Sequence, residues 1–321
     1  MPPTTRKPTG LPAWPILLIA GVEKSGKSYA SAAASASEHV GRTFWIPVGE
    51  DGPDELGALP GARFEIVVHD GTYRQILQSL QWAAAQPAED GKPNLIVLDS
   101  ATRMWALLSD MAQADANRRR KSDEAPISMD LWNVAKSRWQ HLLDVFRQHQ
   151  GPSILTARLD VVTVMDGDKP TKDKDYKVQA EKGLPFEVGA AVHLHALGDA
   201  FLTGVRSLKF KPTPGEVTPF NPFTVEDLWQ KMGLLEKDGA GTRSHSRADG
   251  DQSVRAEDAL IAERSALLAA IRQSFPADQA NARVSEVAQQ WHQDHGHQIQ
   301  ATEDMDGLRA LLDALRQEAQ A

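Results

Sequence analysis

The sequence predicts an α/β domain built on a mainly parallel sheet, with a small helical module after it. Three observations carry that expectation. Ile16-Leu17-Leu18-Ile19-Ala20 is a short apolar run of the buried-strand kind, followed by Gly21-Val22-Glu23-Lys24-Ser25-Gly26-Lys27-Ser28 and then by a small-residue segment, Tyr29 to Val40, that can be helical. Asn94-Leu95-Ile96-Val97-Leu98-Asp99-Ser100 is a second such run, closed by a carboxylate. Between them lie the segments of two further strand-helix units.

The first of these runs leads into a complete G-x-x-x-x-G-K-S pattern in the order that it needs, strand then loop then helix. Its glycines let backbone N–H groups curl around phosphate oxygens. Lys27 then supplies a point charge to the outer phosphates and the Ser28 hydroxyl a ligand to Mg2+. The nucleotide-binding set is therefore Gly21, Val22, Glu23, Lys24, Ser25, Gly26, Lys27 and Ser28, with Tyr29 directly after it. Asp99, ending a strand that is apolar on both faces, stands where a carboxylate reaches the Mg2+ shell.

Composition narrows the classes. A chain of 321 residues with 41% apolar and 24% charged residues builds one large core easily. No apolar run approaches membrane-spanning length, and residues 1–13 read as a proline-rich arm with no signal-peptide form. The absence of cysteine excludes disulfides, thiolate zinc sites and cysteine nucleophiles, and fits a cytoplasmic protein. A net charge of -8 means that any nucleic-acid binding must come from local basic patches.

Along the chain, Arg42 to Val48 reads as a second strand leading into the acidic loop Gly49-Glu50-Asp51-Gly52, and Phe64 to Val68 as a third. Thr72 caps a helix carrying Ile76, Leu77 and Leu80. After Asp99 a helix from Thr102 to about Met111 leads into Arg118-Arg119-Arg120-Lys121, which is either a solvated helix end or a contact for phosphates. Met129 to Gln150 is a long amphipathic helix. Ser153 to Arg158 is a further strand whose Thr156 and Arg158 replace the aliphatics expected of a neutral core strand. A polar group there either senses the terminal phosphate and positions water, or simply leaves the strand. Met165 to Pro185 mixes Lys169, Lys172, Lys174, Lys177 and Lys182 with as many acids and reads as a mobile loop, open to DNA, to a neighbouring subunit or to solvent alone. Two late strands, Ala190 to Leu197 and Ala200 to Leu208, form a hairpin, and Thr224 opens a short helix. The expected divisions are an arm at 1–13, a nucleotide-binding domain at 14–236, a linker at 237–253 and helices over 254–321.

The order of phosphate loop, acidic Gly-Glu-Asp segment, strand ending in Asp-Ser, Thr-Ala-Arg strand and lysine-rich segment resembles the RecA-like recombinase core. More narrowly it resembles the phage RecA-like single-strand annealing ATPases of the Sak group, phage P-loop proteins of AAA type. The matching segments are Gly21 to Ser28, Leu95 to Ser100, Leu155 to Arg158 and Lys182 to Phe186, within residues 14–235. The resemblance implies a RecA-like P-loop NTPase core using ATP and Mg2+, the metal held by Ser28 and Asp99. It implies catalytic roles for Lys27, Asp99, Arg158 and Glu50, with Glu50 polarising the attacking water. Lys177 or Lys182 would reach a neighbouring subunit's nucleotide. DNA would meet Arg118, Arg119, Arg120, Lys121, Lys169, Lys172 and Lys174.

The implied activity is ATP-dependent binding and annealing of single-stranded DNA by a homo-oligomeric ring or filament. A single-strand-binding protein is a further partner, no membrane is involved, and the setting is the cytoplasm of an infected bacterial host. Two other readings stay open: a nucleotide-gated loader in replication with little hydrolysis, and a helicase-type motor.

Overall fold

In the computed structural model of the chain, the described residues are 5–166, 169–210, 217–236, 239–243, 264, 267–268, 270–271, 280–295, 299 and 304–318. The chain divides into two compact units between His245 and Ser246.

The first unit is a sheet of nine strands: β1 (Ile16–Gly21), β2 (Thr43–Pro47), β3 (Glu65–Ile66), β4 (Leu95–Asp99), β5 (Ser153–Asp166), β6 (Lys169–Val178), β7 (Ala190–Ala196), β8 (Asp199–Val205) and β9 (Thr218–Pro219). Their order is β3-β2-β4-β5-β1-β7-β8-β9, with β6 paired to β5 outside that path. From β3 to β7 every pairing is parallel, and the late strands and the β5–β6 ribbon are antiparallel. The helices are α1 (Lys27–Ala34), α2 (Tyr73–Ala84), α3 (Ala101–Arg120), α4 (Met129–Gln148), α5 (Leu184–Glu187) and α6 (Val225–Met232).

Strand periodicity of two explains why the central strands are apolar throughout. On β1, Ile16, Leu18 and Ala20 face one core cluster with buried residues of α2, α3 and α4, whereas Leu17 and Ile19 face the other with buried residues of α1 and α6. β4 divides in the same way, Ile96 and Leu98 against Leu95 and Val97. Thr72 caps α2 and Thr224 caps α6 through their hydroxyls, as the sequence predicts.

Several boundaries differ from expectation. α1 ends at Ala34, short of Val40, and β3 keeps only two paired residues. α3 runs on to Arg120 because Ala112 and Ala116 continue its buried stripe from Met104 and Leu108, so the basic run is a helix end. The largest correction concerns Met165 to Pro185, expected as a mobile loop: β6 pairs with the outer half of β5 from Asp166↔Lys169 to Leu159↔Val178. Asp160 stands opposite Lys177 in this ribbon, whereas Lys174 faces Thr163 and Asp175 faces Val162. Gly167 and Asp168 lie outside the described residues.

Two structures overhang the C-terminal edge of the parallel strands. β5 pairs with β1 only from Ser153 to Arg158, so the ribbon beyond Leu159 stands past Gly21, the last residue of β1. α4 is anchored at the opposite edge, where the His149 ring meets the Asn94 carbonyl at 2.7 Å. Its 20 residues span about 30 Å, against about 17 Å for the five residues of β4. The Met129 end of α4 therefore extends past the same edge, together with the end of α3, which Arg119 ties to Asp130.

At the N-terminal edge the chain's later residues dock on its early ones. Gly241 N donates to the Pro12 carbonyl at 2.7 Å, and the half-buried Arg243 guanidinium donates to the Trp14 and Phe146 carbonyls. In the second unit, α7 (Ala280–His295) and α8 (Met305–Glu318) enclose a small core with Trp291, Leu308, Leu312 and Leu315. These helices extend the expected segments 284–291 and 308–315 at both ends, whereas 254–263 lies outside the described residues. Among the described residues no helix is long and apolar enough to cross a membrane.

Candidate nucleotide site

The chain leaves β1 at Gly21 and enters α1 at Lys27, and the turn between them is held from three sides. Val22 N donates to the Leu194 carbonyl of β7 at 3.1 Å, Ser25 Oγ donates to the Val22 carbonyl at 2.8 Å, and Ala30 N donates to the Gly26 carbonyl at 2.9 Å. A Cβ at Gly21 would meet Ser25 Oγ at 2.3 Å and Leu194 Cβ at 3.0 Å, so only glycine fits the start of the turn. Lys27 Nζ donates to the carbonyls of Gly21 and Val22, at 3.0 and 2.8 Å. Glu23, Lys24 and Tyr29 are exposed around it.

The loop and the carboxylate of β4 meet across β5, which lies between β1 and β4. Ser28 Oγ donates to Asp99 Oδ2 at 2.9 Å, and the fully buried Thr156 on β5 donates its hydroxyl to Asp99 Oδ1. The turn after β1 and the carboxylate of β4 are thus bridged by the strand between them, and Thr156 joins the site.

Glu50 reaches the same place from β2. Val48 exchanges backbone bonds with Asp99 and Ser100, at 2.5 and 3.4 Å, which aligns the ends of β2 and β4. Gly49 then turns at φ +61, a left-handed conformation, where a Cβ would press on Arg103 Cβ at 3.1 Å. Three residues past the strand, Glu50 accepts from Ser100 Oγ at 2.9 Å and from Arg158 through Nε at 3.2 Å and Nη2 at 2.9 and 2.7 Å. Arg103 Nε stands 3.8 Å away.

Burial opposes charge here. It pushes the Asp99 carboxyl above its ordinary range, against the lowering effect of the Thr156 and Ser28 hydrogen bonds. It pulls the Lys27 ammonium down, against the raising effect of Asp99 and Glu50. Arg158 is raised, chiefly by its hydrogen bonds to Glu50.

The site fits a magnesium-bound nucleoside triphosphate. Ser28 and Asp99 present hard oxygen donors beside the glycine turn, and Mg2+ is commonly held by one or two protein oxygens plus phosphates. Among the described residues no group of three His, Cys, Asp or Glu forms a separate metal cluster. The two carbonyls holding Lys27 are weaker partners for an ammonium than phosphate oxygens.

The other candidate residues lie on the overhang or near it. Arg118 pairs with Asp115 at 3.0 Å and Arg119 with Asp130, while Arg120 and Lys121 are exposed. Lys174 Nζ donates to Thr163 Oγ1 at 2.9 Å, and Lys177 is exposed on the ribbon opposite Asp160. Lys169 and Lys172 lie on β6, with side chains outside the described residues. Lys182 is exposed just before α5. Ser100 and Arg103 were not foreseen. In the sequence Ser100 is only the residue after Asp99; in the structure it caps α3, accepting from Arg103 N at 3.3 Å, and nothing local marks Arg103.

No protein-family model matches the chain, and no curated protein matches it. Among solved structures, it is similar to the crystal structure of the RadB recombinase, at 20% identity over 66% of this chain and 89% of that one, with a TM-score of 0.40. It is also similar to a prototypical ATPase from the type III secretion system of pathogenic bacteria, at 14% identity over 95% of this chain and 83% of that one, with a TM-score of 0.38. The mainly parallel sheet, with β5 inserted between the loop-bearing β1 and the carboxylate-bearing β4, together with the glycine turn opening α1, is that of a P-loop α/β core.

Proposed function

We propose that this chain is an ATPase that binds single-stranded DNA and promotes its annealing in phage recombination, ATP controlling both DNA binding and assembly into a homo-oligomer. The observation that carries the reading is the bridge Ser28–Asp99–Thr156, which joins the phosphate turn, the β4 carboxylate and the strand that continues into the overhanging ribbon. A change at the triphosphate is thereby one strand away from the ribbon that bears Lys169, Lys172, Lys174 and Lys177.

Lys27 and the backbone N–H groups of residues 21–28 hold the phosphates, and Ser28 and Asp99 hold Mg2+. Glu50 orients the attacking water. The bound triphosphate and its metal supply the high-energy phosphoanhydride and the charge neutralisation that phosphoryl transfer needs. Lys177 and Lys182 are the residues from which a neighbouring subunit would complete the site. Arg118 to Lys121 and the ribbon lysines are the DNA contacts, on the same edge as the nucleotide.

The test is phosphate release measured with and without single-stranded DNA over a range of salt. DNA should stimulate turnover and the stimulation should fade as salt rises, since contacts to phosphates release counterions. Turnover that ignores DNA at every salt concentration sinks the DNA half of the reading. The engagement of Glu50 with Arg158 favours a second reading, a nucleotide-gated binding module with little hydrolysis. Measurable turnover that Glu50→Gln removes while nucleotide affinity survives decides for the enzyme.

A further inference from the structure

We propose that Arg158 and Glu50 form a latch that reads the terminal phosphate: Arg158 holds Glu50 while the site is empty or carries a diphosphate, and turns to the third phosphate when a triphosphate is bound, releasing Glu50 to its water. This rests on the nucleotide reading above and names its regulation.

The geometry supports each part. Arg158 ends the sheet-paired half of β5 in register with Gly21, so its guanidinium springs from the strand next to the first residue of the phosphate turn. It is electrostatically coupled to Lys27, Glu23 and Asp99 as well as to Glu50. Its side chain is 42% exposed against 24% for Glu50, so the arginine is the freer partner. In its present position it donates three bonds that reach both oxygens of the Glu50 carboxylate, and Ser100 donates a fourth. A carboxylate so engaged has little capacity left to accept from water.

A guanidinium binds carboxylate and phosphate with the same planar fork, so exchange between the two needs no new chemistry. Lys27 serves the outer phosphates from beside Gly21 and Val22; the terminal phosphate adds negative charge that a second cation, Arg158, in register with Gly21 on the neighbouring strand, can share. Once Arg158 leaves, Ser100 and Arg103 keep Glu50 in place, the latter from the first turn of α3. Glu50 then accepts the proton of the attacking water as the water oxygen bonds to the terminal phosphorus. The bond from that phosphorus to the bridging oxygen breaks, and the diphosphate leaves with the electron pair. Loss of the terminal phosphate returns Arg158 to Glu50, so the base is available only while there is a bond to cleave.

The test is a binding cycle with Glu50→Gln, Arg158→Gln and the double variant. Affinity for a non-hydrolysable ATP analogue and for ADP would be measured with Mg2+ by equilibrium dialysis. Breaking the latch in advance should make Glu50→Gln tighten analogue binding about tenfold more when Arg158 is present than when it is Gln, the scale of a charge-assisted hydrogen-bonded pair. For ADP the two changes should be equal. Equal changes for the analogue as well would overturn the latch, because relief of simple repulsion between Glu50 and phosphate does not require Arg158. A parent protein that binds neither nucleotide removes the nucleotide reading and the latch together; binding without the analogue-specific difference removes the latch alone. Should Arg158→Gln not fold, Arg158→Lys, which keeps the charge and loses the fork, is read by the same criterion.

Discussion

Two charged regions share the C-terminal edge of the sheet, and they are held in opposite ways. The inner one, Lys27, Asp99, Glu50 and Arg158, is tied by contacts between remote parts of the chain: Ser28 and Asp99 are 71 residues apart, Glu50 and Arg158 108. The outer one is tied locally: Arg118 to Asp115, Arg119 to Asp130, Lys174 to Thr163. The inner charges are half-buried or buried, whereas the outer ones are exposed. A charge out of water must have its partners built around it, and a solvated one need not. Single substitutions should therefore act strongly inside and additively and weakly outside.

The largest expected effect is inside. Lys27→Ala should lower ATP turnover at least about 100-fold, the scale for losing one electrostatic contact to the reacting phosphates, with an unchanged circular dichroism spectrum. Undiminished phosphate release would erase the distinction between the regions.

Thr156→Val keeps the shape of the side chain and removes the buried hydroxyl that donates to Asp99. Denaturant titration should show a loss of about 1–3 kcal/mol, because Asp99 keeps its burial with one partner fewer. A loss below about 0.5 kcal/mol would place Thr156 with the solvated groups.

Outside, neutralising Arg118, Arg119, Arg120 and Lys121 together as glutamines should weaken single-stranded DNA binding about tenfold at low salt and flatten its salt dependence. Basal turnover without DNA should stay as it was. A fall in that basal rate would mean that the regions are not separate.

The smallest expected effect lies where the regions join. His193 on β7 is opposite Ala20 of β1, and the next outward residue on its face, His195, stacks on Tyr176 of the ribbon at 3.5 Å. Burial, then the neighbouring His195, pull the His193 imidazole down to about 4 from its ordinary 6.5, against the opposing pull of Asp175. The folded protein thus takes up this proton less readily than the unfolded chain. The stability it confers is present above pH 6.5 and is lost as pH falls from there to about 4. After allowance for its partial exposure the loss is about 1 kcal/mol. His193→Gln should remove that part of the acid limb in melting temperatures taken from pH 7 to pH 4. An identical limb in the variant would show that the junction does not feel the proton.

The legible parts of this protein were those whose cause is contiguous in the chain. The turn from Gly21 to Ser28 needs residues next to one another, the two-faced strands β1 and β4 declare themselves by unbroken apolar runs, and the caps Thr72 and Thr224 sit beside their helices. Asp99 was recognisable because it closes such a run. The extent of α3 was missed because alanines carry its buried stripe past Met111 and look no different from a polar surface. The β5–β6 ribbon was missed because alternating Lys and Asp read as solvation until the facing strand is known.

From its sequence alone this chain determines a phosphate turn between a buried strand and a helix, and a carboxylate ending a second buried strand. Only the tertiary structure decided that β5 lies between them, that Thr156 and Ser28 share Asp99, and that Glu50 is held by Arg158 and Ser100. The reason is that these partners are brought together by sheet order and register. Those follow from how two faces of a whole sheet are covered, which no local stretch of residues encodes.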